Sequence, residues 1–187
     1  MAELLAGPAA EPLTRAEAKA FLRIDHAADD ALIDALVMAA RRRVEVETGR
    51  ALMTQSWRFR LDAWPLRGLV PTPLSPVREI LGATVAAADG SAVALPAGAL
   101  VLLADRAPAL IRVDRALAPA PACPHGGIVI SIAAGYGPLA ADVPADLVQA
   151  VRLLLAHFHE HRDGPGEATR LPAAAIALMA PYRVVRL

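Results

Sequence analysis

The sequence contains little cysteine, few aromatic residues and a single lysine. Cys123 is the one cysteine among 187 residues, which excludes an internal disulfide framework and a zinc site built from several cysteines. Aromatic residues make up 4% of the chain, and Lys19 stands beside many arginines. We therefore expect Cys123 to be a plain thiol.

Long hydrophobic runs are also missing. The longest uncharged stretch, residues 116–141, is broken repeatedly by proline and glycine, and its apolar centre at 128–134 has the length of a buried strand. A membrane-spanning helix needs about 20 apolar residues, so we expect no membrane span. Residues 1–12 lack the basic and apolar regions of a secretory signal, so no secretion is expected.

An excess of one charge is absent as well. Lys and Arg total 19 and Asp and Glu total 19, which argues against a protein that grips nucleic acid through bulk positive charge. Hydrophobic residues make up 56% of the chain and charged residues 20%. This composition indicates either a large core or a core with extensive apolar subunit interfaces.

The N-terminal segment predicts two helices, Thr14–Ile24 and Asp29–Thr48. Thr14 and Glu17 have the spacing of a capping box, and Gly49 is suited to end the second helix. The first helix is expected to bury one face, and the second follows a clear helical period. The expected apolar face of the first helix consists of Ala16, Ala20, Phe21 and Ile24.

Two further helices are predicted near the C-terminus, Pro144–Arg162 and Pro172–Met179. Pro144 fits a first-turn proline, and Pro181 stops the last helix. The first of the two carries a wide apolar stripe.

The middle of the chain predicts five or six short strands. Apolar and polar residues alternate from Trp57 onward, as in a half-buried strand, and Asp89-Gly90-Ser91 indicates a hairpin turn. The proline-rich stretch from Pro65 to Pro76 is expected to be a loop or extended arm. The expected fold class is α+β: a small bundle of about four helices from the N- and C-terminal segments, with an inserted β-rich subdomain. The predicted boundaries are 13–52, 53–135 and 140–180, followed by a tail at 181–187.

Candidate catalytic groups do not form a convincing constellation. His157 and His161 share a helix face but lack the third ligand that zinc requires, and His159 points away from them. Cys123 and His125 flank a proline in a loop, where nothing orients a base. We expect no enzymatic activity, no bound metal and no cofactor.

Two basic segments are candidates for partner contacts. Arg41, Arg42 and Arg43 lie late in the second helix, where they are either a solvated helix end, partly neutralised by Glu45 and Glu47, or a lumen or partner surface. The tail mixes basic and apolar residues and carries no acid, a composition suited to a partner's groove. It consists of Pro181, Tyr182, Arg183, Val184, Val185, Arg186 and Leu187.

Three segments frame the chain at both ends. The first reads LTRAEAK, FLRID and DDALI over residues 13–19, 21–25 and 29–33; the second ends the long helix with ETGR at 47–50. The third comprises GYG at 135–137, VP at 143–144, HR at 161–162 and PYR at 181–183. Together they resemble the head-tail connector (adaptor) proteins of long-tailed bacteriophages and of the related gene transfer agents. Residues 54–134 lie outside the resemblance.

The resemblance implies a structural role in a virion or virus-like particle made in the bacterial cytoplasm. Such proteins form a ring, commonly twelve-fold, between the portal and the next neck component (stopper) or tail component, and DNA passes through the lumen. The expected partners are thus the portal, the next neck ring and further copies of the chain, with the tail 181–187 docking on the portal.

Two alternatives stay open at the level of sequence. The N-terminal helix pair is compatible with a DNA-binding regulator of helix-turn-helix type, although the acidic connection from Asp25 to Asp30 would repel phosphates. A small hydrolase would have to use Cys123 or the His157/His161 pair.

Overall fold

The computed structural model describes residues 2–161 and 170–184. These residues divide into two compact units. Residues 2–7 and 54–135 form the first, here called the β unit. Residues 8–53, 136–161 and 170–184 form the second, the helical unit. The fold is α+β, as the sequence predicts.

The helical unit contains the four predicted helices. They are α1 (Arg15–Leu22), α2 (Asp30–Thr48), α3 (Ala145–Glu160) and α4 (Ala173–Met179). Short 3-10 helices at Ala140–Asp142 and Ala180–Tyr182 precede α3 and follow α4. Helices α2 and α4 both pack on α3.

The ends of the first two helices follow from local chemistry. The Thr14 hydroxyl accepts a hydrogen bond from the Glu17 amide at 3.2 Å, and the Glu17 carboxylate accepts one from the Thr14 amide at 2.8 Å, which confirms the capping box. Gly49, in the left-handed conformation with φ of 70°, ends α2 and donates its N–H to the Glu45 carbonyl.

One apolar core holds the helical unit together. It draws on the inner faces of α2 and α3, on two positions of α4 and on the segments that flank these helices. Its largest fully buried members are Ile33, Val44, Leu52, Met53, Leu147, Leu154, Leu155 and Met179. The predicted apolar face of the first helix is confirmed at Ile24, which packs against this core. It is wrong at Ala16, Ala20 and Phe21, which are exposed, and Ala18 is the buried residue of α1.

The β unit contains two antiparallel sheets. The larger has the strand order β1-β2-β8-β4-β5, and the smaller has the order β3-β7-β6. The strands are β1 (Ala2–Ala6), β2 (Gln55–Leu61), β3 (Leu69–Pro71), β4 (Val77–Ala86), β5 (Ala92–Ala94), β6 (Leu100–Leu103), β7 (Leu110–Val113) and β8 (Ile128–Ala134).

Strand β8 lies between β2 and β4 at the centre of the larger sheet. Ile128, Ile130 and Ile132 alternate along it, are fully buried and share a core with Ile111 of the smaller sheet. The alternation of side chains along β8 therefore places these three isoleucines in a row on the face of the sheet that packs into the core.

Two expectations for the β unit are wrong. Residues 54–135 contain seven strands rather than five or six, because β3 lies inside the stretch expected to be a loop. Pro71 is tolerated there since β3 is an edge strand of its sheet. Strand β1 joins the larger sheet by pairing with β2, and no alternating pattern in its sequence predicts it.

Candidate functional site

Residues 182–184, the last that the structure describes, contact the end of α2 and the residues that follow it. The Arg50 Nε donates a hydrogen bond of 2.6 Å to the Tyr182 carbonyl, and the Arg50 guanidinium lies 5.9 Å from the centre of the Tyr182 ring. The Tyr182 hydroxyl donates to the Asp146 carboxylate at 3.2 Å. Burial, together with this hydrogen bond and the negative charge of Asp146, raises the pKa of Tyr182.

Two further contacts hold the segment beyond Tyr182. Arg183 donates to the Glu47 carboxylate at 2.9 Å, and the Val184 amide donates to the Thr48 carbonyl at 2.9 Å. The second bond satisfies a carbonyl that the end of α2 would otherwise leave without a partner. Val184 also lies over Gly49, where an added Cβ would come within 3.4 Å of the Val184 Cβ.

These contacts divide the predicted tail into two parts. Residues 181–184 are engaged within the helical unit, through a 3-10 turn that contains Pro181 and Tyr182. Val185, Arg186 and Leu187 lie outside the described residues. Docking of the tail on a portal stays a prediction.

The three arginines of α2 occupy different environments. Arg41 is 5% exposed, and its guanidinium contacts Glu11 at 2.6 and 3.2 Å and Glu45 at 2.6 Å. Burial lowers the pKa of Arg41, but its hydrogen bonds and ion pairs with the two glutamates outweigh burial and raise it overall. Arg41 is thus an internal cross-link of the helical unit and not a surface residue.

Arg42 and Arg43 lie closer to solvent. Arg42 is exposed, whereas Arg43 is partly buried and pairs with Glu47 at 2.8 Å. The predicted i,i+4 pairs, Arg41 with Glu45 and Arg43 with Glu47, are both confirmed. A lumen or partner surface at these positions stays a prediction, and Arg42 is the member whose side chain such a surface would present.

Two residues of this region could not be anticipated from local sequence patterns. Arg50 holds the C-terminal segment, and Glu11 reaches Arg41 from before α1. Arg50 and Tyr182 are 132 positions apart in the sequence, and Glu11 and Arg41 are 30 positions apart, so local spacing predicts neither contact. Glu45 also accepts a hydrogen bond from the Leu52 amide at 2.9 Å, which ties the chain after α2 into the same network.

His157 and His161 contact each other at the end of α3. The His157 and His161 ring centres are 4.4 Å apart, and the His161 Nδ1 lies 2.8 Å from the His157 carbonyl oxygen. Within residues 2–161 and 170–184, no group of three or more His, Cys, Asp or Glu side chains is arranged to hold a metal ion. The Cys123 Sγ lies 3.5 Å from the His125 carbonyl oxygen.

The two cations of α1 are likewise paired. Arg15 binds Asp34 and Asp30, and Lys19 binds Asp30 at 2.7 Å. These ion pairs occupy the basic groups on α1 that a helix-turn-helix regulator would turn toward phosphates. In the part of the chain that the structure describes, no helix is long and apolar enough to cross a membrane.

Comparison with known proteins gives matches among solved structures. The fold is similar to that of a chain in the virion of a native gene transfer agent particle, with 30% sequence identity and a TM-score of 0.84. The match covers 100% of this chain and 97% of that chain. The same coverage and identity hold for the neck of an empty particle computed with C6 symmetry, with a TM-score of 0.85. They also hold for the neck of a native particle computed with C12 symmetry, with a TM-score of 0.81. No protein-family model and no curated protein matches the chain.

The protein agrees with these structures in fold and in sequence along its whole length. It is therefore a structural component of a virus-like particle. More particularly, the chain belongs to the family of neck proteins of gene transfer agent particles, and its location is the virion.

Proposed function

We propose that this chain is the head-tail connector, or adaptor, subunit of the particle neck. In this role it forms a ring between the portal and the next neck component, has no enzymatic activity, and surrounds the channel through which DNA passes. The full-length match to chains of gene transfer agent necks is the observation that carries the proposal.

The symmetry of the related particles supports a ring of twelve copies. One related neck was computed with C12 symmetry and another with C6 symmetry, and a twelve-fold ring satisfies both. A zero formal net charge supports passage of DNA without strong binding, because retention of phosphates would require an excess of cations.

The first experiment mixes the purified full-length chain with the portal from its own gene neighbourhood and images the product by electron microscopy. We expect an additional ring at the outer end of the portal, and class averages give its copy number. A well-folded chain that leaves the portal bare would overturn the adaptor role. A salt-dependent gel shift on linear duplex DNA would then test the regulator hypothesis.

We further propose that the tail, residues 181–187, makes the contact with the portal. Residues 182–184 bind Glu47, Thr48 and Arg50 in the chain's own helical unit, which places this part of the tail beside the end of α2. An apolar and basic ending suits a groove on another protein.

Two truncations test this assignment. Removal of residues 185–187 should abolish portal binding. Removal of residues 181–187 should abolish binding and also lower the midpoint, because the contacts of Tyr182, Arg183 and Val184 are lost. Undiminished portal binding by the shorter truncation would place the portal contact elsewhere.

A further inference from the structure

The outer face of α2 is mostly apolar, with Arg42 lying among its apolar positions. Its exposed positions include Ala31, Ala35, Met38, Ala39 and Val46, with Met38 46% and Val46 78% exposed. Within α2, all of which the structure describes, Asp34 and Arg42 are the charged exposed residues, and Asp34 is paired with Arg15. A helix with apolar residues on both faces is normally covered on both sides.

The outer face of α4 has the same character. Its exposed positions are Ala173, Ala174, Ile176 and Ala177, and Ile176 is 38% exposed. The surrounding sequence from Leu171 to Tyr182 contains no charged residue.

Helix α3 shows the ordinary pattern. Away from the core it carries Asp146, Gln149, Arg152, His159 and Glu160. Helices α2 and α4 pack on α3 around one shared core, and each outer face lies opposite the buried side of its own helix. The helical unit therefore presents two separate apolar helix faces.

We propose that these two faces bind each other between neighbouring copies of the chain, with the outer face of α2 in one copy packed against the outer face of α4 in the next. The proposal rests on the proposed function, since it names the interface that closes the ring. A cyclic ring of more than two copies requires a heterologous interface made of two different surfaces, which is what the two helices provide. Alanines at positions 31, 35 and 39 allow a facing helix to approach closely.

The size of the faces is consistent with a second copy in a ring and not with an isolated dimer. Helix α4 has seven residues and is about 10 Å long and about 10 Å wide, so its contact with α2 covers about 100 Å². Each partner in a standard stable interface buries about 800 Å². One such contact is too small to hold two free copies together, so the contact forms where every copy is also held on a portal.

Charge substitutions at the two faces test the proposal on the portal-bound assembly. Met38→Glu and Ile176→Glu should each reduce the fraction of portals that carry complete rings by about tenfold or more, because the introduced carboxylate would be buried at the contact. Leu66→Glu is the matched control, since Leu66 is 99% exposed and lies in the β unit. Circular dichroism and the unfolding midpoint should be unchanged in all three variants.

A paired variant identifies the two faces as partners. In Met38→Glu/Ile176→Arg, every contact places a carboxylate opposite a guanidinium, so complete rings should return to more than half of the portals. Complete rings in both single variants, or a paired variant no better than Met38→Glu, would overturn this interface and leave the adaptor role intact. Failure of the unmodified chain to form rings would overturn both.

Discussion

Arg41 shows how a charge is kept inside the helical unit. Its guanidinium binds both oxygens of Glu11 and one oxygen of Glu45, while Glu45 also receives the Leu52 amide. This network connects the segment before α1, the middle of α2 and the segment after it. Removal of the cation would take the guanidinium away from two partly buried carboxylates.

Arg41→Met is expected to lower the free energy of unfolding by about 3 kcal/mol, because it breaks a buried ion pair by removing one partner. Urea titration followed by circular dichroism measures the change. Arg42→Met is the control and should change stability by less than about 0.5 kcal/mol, since Arg42 is exposed. Equal effects of the two substitutions would contradict the internal role of Arg41.

At the level of the element, α1 depends on its first turn. Hydrogen bonds from the backbone and hydroxyl of Thr14 lower the pKa of Glu17, and the positive charge of Arg152 contributes in the same direction. A carboxyl whose pKa is lower in the folded chain stabilises the fold above its ordinary pKa. That contribution disappears as the pH falls through the lowered value.

Glu17→Gln is therefore expected to destabilise the helical unit at pH 7 by about 1 kcal/mol or less, the range of a helix cap. The difference between Glu17→Gln and the unmodified chain should shrink below about pH 4.3, the ordinary pKa of a glutamate, as the native carboxyl takes up its proton. Thermal unfolding between pH 3 and pH 7 measures this; a difference that stays constant with pH would contradict the capping role.

At the level of the whole molecule, the proposed function and the two apolar helix faces predict a subunit that assembles on the portal. Neither face reaches the area of a stable interface on its own. Binding to a portal would place many copies side by side, so that each weak contact would form within one assembly at a high effective concentration.

The free chain should accordingly be a monomer at micromolar concentration and appear in rings on the portal. Light scattering after size-exclusion chromatography gives the mass of the free chain, for which 19.6 kDa is expected. Stable rings of the chain by itself would show that its subunit interface is larger than the faces of α2 and α4.

The sequence by itself determined the elements whose causes are local. The capping box at Thr14, the glycine that ends α2, the i,i+4 ion pairs and the isoleucine alternation of β8 all depend on residues within a few positions of one another. These interactions are set by the 3.6- and 2-residue periods of the backbone, so the α+β class and the four helices could be predicted.

The tertiary structure decided what depends on distant partners. Strand β1 exists because it pairs with β2 across more than fifty positions, and the first helix buries Ala18 instead of Phe21 because of how it packs against its neighbours. Arg41 is internal because Glu11 and Glu45 bind it, and residues 182–184 are held at the end of α2 in part because Arg50 binds Tyr182. Long-range packing chooses among arrangements that local periodicity leaves equally possible, so these contacts were decided by the tertiary structure and not by local sequence.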